Sequence, residues 1–514
     1  MALERVALGV IMPATYRDLV RLEGLEHLER SEFLDRVTVV EGSAWGIMAG
    51  FWSSIGAAFS VVQLTASLLL LGSVDPWLLL LLGFAAAPLW FDQRGQRAVK
   101  QAETDTAEAF RLQRHLFDLG TDPAAGKEIR VARAGDELAR RQAEAWQEAM
   151  TGRFRAQLSA ALWKAGGWTL FTAGFAAGLL LVAYRTTHGN GSAGDLVLAI
   201  TVATSLRQSV HDAVSRSTQS ATAGRLIEPY LWLREYLAAE RAQSHGTVPT
   251  PPSLRDGITF DQVAYTYPGT DHPAIDGFSA HIPAGAIVAI VGEYGSGKTT
   301  LIKLLHKFYR PDSGAIRIDG TDLADLDTVH WRARSSAAFQ DFGRFETIFA
   351  ETVGLGDLPR IDDRERITRA VHDADADSLV ARLPDGLDTQ LGRKLGGVDL
   401  SEGQWQRTAL ARACMREDPL LFVLDEPTAS LDAPSEHAIF EHYMRRAREL
   451  AAASGAITVI ISHRFSTVAG ADLILVMDQG KLAEAGTHEE LLASGGTYAE
   501  LYSITSAAYA DAEA

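Results

Sequence analysis

The first half of the chain contains long apolar stretches that the second half lacks. Residues 45–71 include no charged side chain, and a helix of that length, rising about 1.5 Å per residue, exceeds a hydrocarbon core of about 30 Å. Three further apolar stretches follow. The stretch 77–91 is shorter, 158–184 is interrupted by Lys164, and 195–214 contains several polar residues. We therefore predict four membrane-spanning helices. A buried core helix is the alternative for 77–91, and a soluble amphipathic helix for 195–214.

Basic residues are concentrated between the second and third apolar stretches. Residues 92–157 contain many arginines and lysines, whereas 72–76 contain none. Because positively charged loops stay on the cytoplasmic side, we expect 92–157 and 17–43 to be cytoplasmic loops of an all-α transmembrane domain at 1–242. This topology predicts a multi-pass protein of the cell membrane, embedded in the lipid bilayer, with the rest of the chain in the cytoplasm.

The second half has the pattern of an α/β domain. Three short apolar runs, at 286–291, 420–424 and 457–461, are each followed by glycine or polar residues. Ligands of doubly wound sheets bind where the carboxyl ends of parallel strands meet, so these runs predict one shared site.

Composition sets the domain boundaries and excludes some functions. A charged and then proline-rich stretch predicts a linker at 243–256, followed by the α/β domain at 257–505 and a tail at 506–514. The net charge of −17 is opposite to that of a nucleic-acid-binding protein. The single cysteine, Cys414, excludes an internal disulfide and a thiolate cluster for a metal, and we interpret it as a small buried hydrophobe.

Residues 292–299 read Gly-Glu-Tyr-Gly-Ser-Gly-Lys-Thr and fit the P-loop pattern. Glycines allow backbone N–H groups to turn toward a phosphate, and the helix that follows presents its positive dipole end. The lysine would reach the β- and γ-phosphates, and the threonine hydroxyl would bind Mg²⁺. The predicted ATP-binding residues of this loop are Gly292, Gly295, Ser296, Gly297, Lys298, Thr299 and Thr300, with Thr299 also a predicted Mg²⁺ ligand.

Two further motifs follow the P-loop: Leu-Ser-Glu-Gly-Gln at 400–404 and Leu-Asp-Glu-Pro at 424–427. Together the three motifs resemble the nucleotide-binding domain of ATP-binding cassette (ABC) transporters, which makes the chain a multi-domain protein with an α/β P-loop NTPase domain after its helical domain. The resemblance implies an ATP hydrolase with four residues in named roles. Asp425 holds Mg²⁺, Glu426 orients the attacking water, Gln340 senses the γ-phosphate and Mg²⁺, and His463 contacts the γ-phosphate.

The same resemblance implies that the chain works as a dimer. In the family, the signature residues Ser401, Gly403 and Gln404 complete the ATP site of a partner domain, and Asp432 lies in the D-loop at the dimer interface. Glu402 stands where the family signature has glycine. A carboxylate would repel a bound γ-phosphate, so we expect the Glu402 side chain to point away from the nucleotide.

An aromatic side chain that stacks on adenine is also implied by the resemblance. Tyr267 fits this role by its position before Pro268, and Tyr265 is the rival candidate. Stacking on a base face tolerates any aromatic ring.

The helical half resembles that of exporter-type half-transporters. Residues 25–36 are similar to the first cytoplasmic loop of such exporters, and 124–130 to the second. Because these exporters have six crossings, the resemblance implies that the first helix and most of the second are absent here. A start codon assigned too far downstream and a truncated gene both explain this.

We therefore expect an ATP-driven exporter that acts as a homo- or heterodimer with a second half-transporter. The residues around the signature resemble those of lantibiotic-type peptide exporters, and this resemblance implies a peptide or a small amphipathic molecule as the exported substrate. Two alternatives stay open: a soluble ABC ATPase of DNA repair or translation, and a truncated regulatory partner that transports nothing.

Overall fold

The computed structural model describes residues 9–10, 12–41, 44–74, 76–188, 193–243, 246–426, 433–462 and 468–504. It separates into two compact units. The helical unit contains the described residues up to Tyr16 and those from Arg36 to Leu233, and the α/β unit contains Arg17–Asp35 and the described residues from Arg234 onward.

Long helices make up the first unit. Helices α1 to α8 are Met12–Val20, Ser31–Glu41, Ala44–Val74, Leu81–Asp105, Ala107–Thr121, Pro123–Val131, Gly135–Thr187 and Ala193–Gln243. The C-terminal end of α1 from Arg17, the first turn of α2 up to Asp35 and the C-terminal end of α8 from Arg234 belong to the α/β unit. The 3-10 turn Pro76–Leu80 lies between α3 and α4, at the start of the second predicted span. The predicted cytoplasmic loop 92–157 is helical over almost its whole length.

Glycines let α4 and α7 approach each other closely. A Cβ atom at Gly95 would lie 2.9 Å from the Ala160 Cα, and one at Gly167 would lie 3.0 Å from the Pro88 Cα. Small residues of this kind are typical of helix contacts that form without water. In the described part of the chain, Gly135–Tyr184 is a helix that is long and apolar enough to cross a membrane, by length and composition. Only 22% of the most apolar 18-residue segment of this helix is buried.

Two sheets form the framework of the α/β unit. The strands are β1 Gly257–Tyr265, β2 Ile275–Pro283, β3 Ile287–Gly292, β4 Ser313–Ile318, β5 Thr321–Asp322, β6 Ser335–Ala338, β7 Leu421–Asp425, β8 Ile457–Ile461, β9 Leu473–Asp478 and β10 Lys481–Gly486. One sheet has the order β10-β9-β3-β8-β7-β6 and is parallel except for β10. The other is antiparallel with the order β2-β1-β4-β5.

Strands β3, β7 and β8 are buried along their whole length, as expected for parallel strands with helices on both faces. The helices of this unit are α9 Lys298–Leu305, α10 Thr328–Ala333, α11 Phe349–Gly354, α12 Arg364–Asp373, α13 Asp377–Val380, α14 Glu402–Cys414, α15 Ala433–Ser454 and α16 His488–Ser494. Cys414 is free and buried in the core, and burial raises the pKa of its thiol to about 11.

The segment Arg17–Asp35, predicted from sequence as part of a cytoplasmic loop of the helical domain, contacts the α/β unit. The Leu25 amide donates to the Phe308 carbonyl oxygen at 3.0 Å. The Tyr309 hydroxyl donates to the Glu29 carboxylate, and the Arg332 guanidinium donates to the Glu23 carbonyl oxygen at 2.5 Å. These contacts explain why the segment groups with the α/β unit.

Candidate nucleotide-binding site

Four neighbouring strands bring the predicted site residues to one edge of the parallel sheet. Strand β3 ends at Gly292, β7 at Asp425, β8 at Ile461 and β6 at Ala338, two residues before Gln340. A cavity of about 280 Å³ opens at this edge. Its lining residues are Tyr267, Ala274, Tyr294, Gly295, Gly297, Lys298, Thr299, Thr300, Gln340, Asp425, Glu426 and Ile461.

The P-loop turns with backbone conformations that favour glycine. The φ angles of Gly292, Gly295 and Gly297 are 151°, 79° and 100°. A Cβ at Gly292 would lie 2.2 Å from the Met477 carbonyl oxygen, and one at Gly297 would lie 2.5 Å from the Ala274 carbonyl oxygen. Gly292 and Gly297 are therefore required by both backbone strain and lack of space, and Gly295 is favoured by its backbone conformation alone.

The Lys298 ammonium lies at the centre of this loop. It donates to the carbonyl oxygens of Gly292 at 2.9 Å and Glu293 at 2.8 Å, and to the Ser296 hydroxyl at 3.4 Å. Burial lowers the pKa of Lys298, while the nearby carboxylates of Glu426 and Asp425 oppose that effect. The loop therefore holds a cationic group at the cavity, where phosphate oxygens would bind it.

Asp425 has the environment of a metal ligand. Its Oδ2 accepts from the Thr299 hydroxyl at 3.4 Å, and its Oδ1 is buried without a hydrogen-bond partner. Burial, followed by the charge of Glu426, raises the pKa of Asp425 to about 6. A divalent cation would satisfy the lone oxygen and favour the ionised form, so Asp425 and Thr299 fit Mg²⁺.

The neighbouring Glu426 is held in an unusual conformation. Its φ angle is 50°, a value that costs free energy for a residue with a side chain. Its amide donates to the Ile461 carbonyl oxygen at 2.9 Å, and its carboxylate accepts from the Gln340 side-chain amide at 2.8 Å. The structure thus brings Glu426 and Gln340 together at the cavity.

The two candidate aromatic residues have different environments. The Tyr267 ring lines the cavity, and its hydroxyl lies 3.1 Å from the Thr300 hydroxyl. Tyr265 is 2% exposed and belongs to the core between the sheets. Tyr309 packs against both rings, with centroids 5.2 Å from Tyr265 and 5.4 Å from Tyr267.

The signature residues lie apart from this cavity. Ser401 caps helix α14 in a capping box with Gln404: the Ser401 amide donates to the Gln404 side chain at 2.7 Å, and the Gln404 amide donates to the Ser401 hydroxyl at 3.4 Å. Neither these two residues nor Gly403 lines the cavity described above. Glu402 pairs with Arg344, a contact that sequence reasoning did not predict. His463 and Asp432 lie outside the described residues.

Comparisons with known proteins agree with this geometry. Residues 275–429 match the family described as ABC transporter. A protein of Pseudomonas fluorescens named ATP-dependent lipid A-core flippase is 38% identical over 331 residues, which cover 63% of this chain and 52% of the relative. A protein of Xylella fastidiosa with the same name is 42% identical over 250 residues, covering 49% of this chain and 41% of the relative. The chain thus spans about half the length of the curated relatives it matches.

The fold of the whole chain is also known. A solved structure described as a bacterial Atm1-family ABC exporter with ATP bound is similar with a TM-score of 0.77 and 27% identity, covering 98% of this chain and 86% of that one. The fold and site define a P-loop nucleotide-binding domain in a chain that also carries a helical domain. Residues 275–429 of the α/β unit match the ABC transporter family, and the order of the two domains is similar to that of an exporter of this family.

Proposed function

We propose that this chain is one half of a dimeric exporter that hydrolyses ATP to move an amphipathic molecule across the cell membrane. The observation that carries the proposal is the incomplete site. The P-loop, Asp425, Glu426 and Gln340 line one cavity, whereas the signature beginning at Ser401 is absent from its lining. A second copy, or a related chain, would supply that signature and enclose the nucleotide.

The residues of the cavity suit the steps of ATP hydrolysis. Lys298 exchanges its carbonyl partners for phosphate oxygens, and Tyr267 stacks on the adenine. Mg²⁺, held by Asp425 and Thr299, supplies charge neutralisation between the phosphates when bound. Glu426 orients the attacking water, and Gln340 holds the Glu426 carboxylate until the γ-phosphate arrives.

The helical unit supports a location in the membrane. Many of its large apolar side chains are exposed, among them Phe51 at 58%, Trp52 at 58% and Leu69 at 68%. Apolar side chains in a row on the outside of a long helix are typical of contact with lipid. The predicted spans 45–71, 158–184 and 195–214 lie in α3, α7 and α8, and 77–91 covers most of the 3-10 turn Pro76–Leu80 and the start of α4. We propose that these four segments cross the bilayer as a multi-pass domain.

The similarity to proteins named lipid A-core flippases favours a lipid-like cargo over the peptide that the sequence around the signature indicated. Transport of a lipid and transport of an amphipathic peptide can be compared in vesicles of the same composition. The purified protein is reconstituted into liposomes and given either a fluorescent phospholipid or a fluorescent amphipathic peptide with ATP and Mg²⁺. We expect ATP-dependent movement of the lipid.

Glu426→Gln provides the matched negative variant, and Glu365→Gln, which changes an exposed carboxylate on α12, provides the control. We expect E426Q to bind ATP, to hydrolyse it orders of magnitude more slowly and to move no cargo, while E365Q behaves as wild type. Release of the protein from membranes by alkaline carbonate, together with normal ATP hydrolysis, would instead indicate a non-transporting ABC ATPase.

A further inference from the structure

Glu426 is held at its backbone as well as at its carboxylate. The side-chain amide nitrogen of Gln406 donates to the Glu426 carbonyl oxygen at 2.9 Å. Gln406 is 7% exposed, so the donor side of this partly buried hydrogen bond has little contact with competing water. Two glutamine side chains, from different parts of the chain, therefore hold one glutamate: Gln340 at the carboxylate and Gln406 at the carbonyl oxygen.

Helix α14, which carries Gln406, is held in place by contacts near both of its ends. Helix α14 begins with the capping box of Ser401, and Trp405 beside Gln406 is 2% exposed. Further along, the Arg412 guanidinium donates to the Gly343 carbonyl oxygen at 3.0 Å and lies 4.5 Å from the centre of the Phe345 ring. The position of the Gln406 amide is thus set by packing on both ends of the helix.

The Glu426 backbone needs such support because its φ of 50° lies in the left-handed region. In that conformation, a rotation of the peptide unit that carries the Glu426 carbonyl oxygen changes the direction in which the Glu426 side chain points. We propose that Gln406 is a positioning residue that fixes the peptide unit after Glu426 and so aims the carboxylate at the attacking water. This role rests on the proposed function only through ATP hydrolysis at Glu426.

Two substitutions test the donor specifically. Gln406→Met keeps the length of the side chain without a donor, and Gln406→Glu keeps its shape but donates only when protonated. We expect kcat of Q406M to fall about tenfold to a hundredfold, as for a misplaced catalytic group. The KM for ATP should stay within about twofold, because the nucleotide contacts are untouched.

The pH profile separates this role from a structural one. As the pH falls, the buried Glu side chain of Q406E gains a proton and can donate to the carbonyl oxygen again. The ratio of Q406E to wild-type kcat should therefore rise between pH 8 and pH 5.5, while the ratio for Q406M stays flat. Each ratio is measured within one set of buffers, so general acid effects on hydrolysis cancel. A flat Q406E ratio would overturn the inference.

A double-mutant cycle and a control complete the experiment. In the Glu426→Gln background, Q406M should slow the residual hydrolysis by less than about twofold, because the group it positions is already disabled. Gln390→Met removes similar hydrogen bonds, from the Gln390 amide to the carbonyl oxygens of Leu391 and Glu346, and should leave kcat unchanged. If Q406M hydrolysed ATP with the wild-type kcat, this inference would be overturned while the proposed function would stand. If the wild-type protein hydrolysed no ATP, both would be overturned.

Discussion

Glu402, the acidic residue in the signature, forms an ion pair with Arg344 from the segment after strand β6. The two side chains are 58% and 52% exposed, so the pair contributes little to folding, about 0.5 kcal/mol or less. The ion pair instead fixes the direction in which the Glu402 side chain points. Arg344 pairs with the carboxylate, and we expect this pairing to offset the repulsion between a phosphate and an acid where the family signature has glycine.

Arg344→Ala should therefore impair nucleotide use without unfolding the protein. Once released, the Glu402 carboxylate can approach the γ-phosphate bound by the partner, and we expect the KM for ATP to rise about fivefold, equivalent to ~1 kcal/mol of repulsion. The double variant R344A/E402G should return to the wild-type KM. Steady-state ATP hydrolysis measures both, and an unchanged KM in R344A would show that Arg344 has no such role.

Asp425 should make the nucleotide-free protein sensitive to pH. Its pKa is raised from 3.8 to about 6 in the folded chain, so the folded state binds the proton more tightly than the unfolded state. The free energy of unfolding therefore falls as the pH rises from about 4 to about 6, and the loss is complete above that range. Asp425→Asn removes the ionisation and should stabilise the nucleotide-free protein at pH 7.5 by up to about 3 kcal/mol.

Denaturant unfolding at pH 7.5 and pH 4 measures this effect, with Asp271→Asn, at an exposed carboxylate, as the control. We expect D425N to be more stable than wild type at pH 7.5 but similar to it at pH 4. Addition of ATP with Mg²⁺ should stabilise wild type more than D425N, because the variant keeps Lys298 but lacks the metal ligand. Equal stabilisation of both proteins by ATP with Mg²⁺ would exclude Asp425 as a ligand.

Motifs with fixed spacing predicted that the P-loop, Asp425, Glu426 and Gln340 meet at one cavity, as they do in the structure. The P-loop and Asp425 each follow a buried strand, and neighbouring parallel strands end at the same edge, so their meeting needs no tertiary detail. The pairs Arg344–Glu402 and Gln406–Glu426 were not predictable in this way. Both depend on where a loop or a helix lies on the sheet, and the second joins a side chain to a backbone atom, which no residue pattern encodes.

In the helical half, the positions of helices were predictable from sequence, but the contacts of Arg17–Asp35 were not. Apolar length predicted where helices lie, since 45–71 falls within α3 and 158–184 within α7. The association of Arg17–Asp35 with the α/β unit depends on backbone contacts such as Leu25 to Phe308. Hydropathy carries no information about those contacts.

Substitutions at Tyr267 and Tyr265 should separate nucleotide binding from stability. Tyr267→Ala removes a ring that lines the cavity, and we expect ATP affinity to fall by about 1 to 3 kcal/mol, while Tyr267→Trp retains it. Tyr265→Ala should lower the free energy of unfolding by about 3 to 5 kcal/mol, because the ring is buried in the core. Tyr265→Phe should be neutral or stabilising, since the Tyr265 hydroxyl is buried without a partner.

Fluorescence titration with a labelled ATP analogue and denaturant unfolding measure the two properties on the same four proteins. The expected result is a crossed pattern, with Y267A weak in binding but stable and Y265A unstable. A Y265A protein that folds normally but loses ATP would instead assign the adenine to Tyr265.

A cysteine pair tests the composite site directly. Ser401→Cys introduces a thiol at the signature, and Tyr294→Cys introduces one in the P-loop, where Tyr294 is 85% exposed. Because both residues are on one chain but Ser401 does not line that chain's cavity, we expect a short thiol crosslinker to join them between two chains. The native Cys414 should not react, since it is buried and burial raises its pKa to about 11.

The crosslink is followed as a dimer band in denaturing gels, with E426Q in the background to keep ATP bound. We expect S401C/Y294C to crosslink with ATP and Mg²⁺ and to crosslink much less without nucleotide. A mixture of the two single variants should also crosslink, because each composite site takes one residue from each chain. If the reaction instead produced only a faster-migrating monomer, the two residues would meet within one chain, and the signature would have to complete its own nucleotide site.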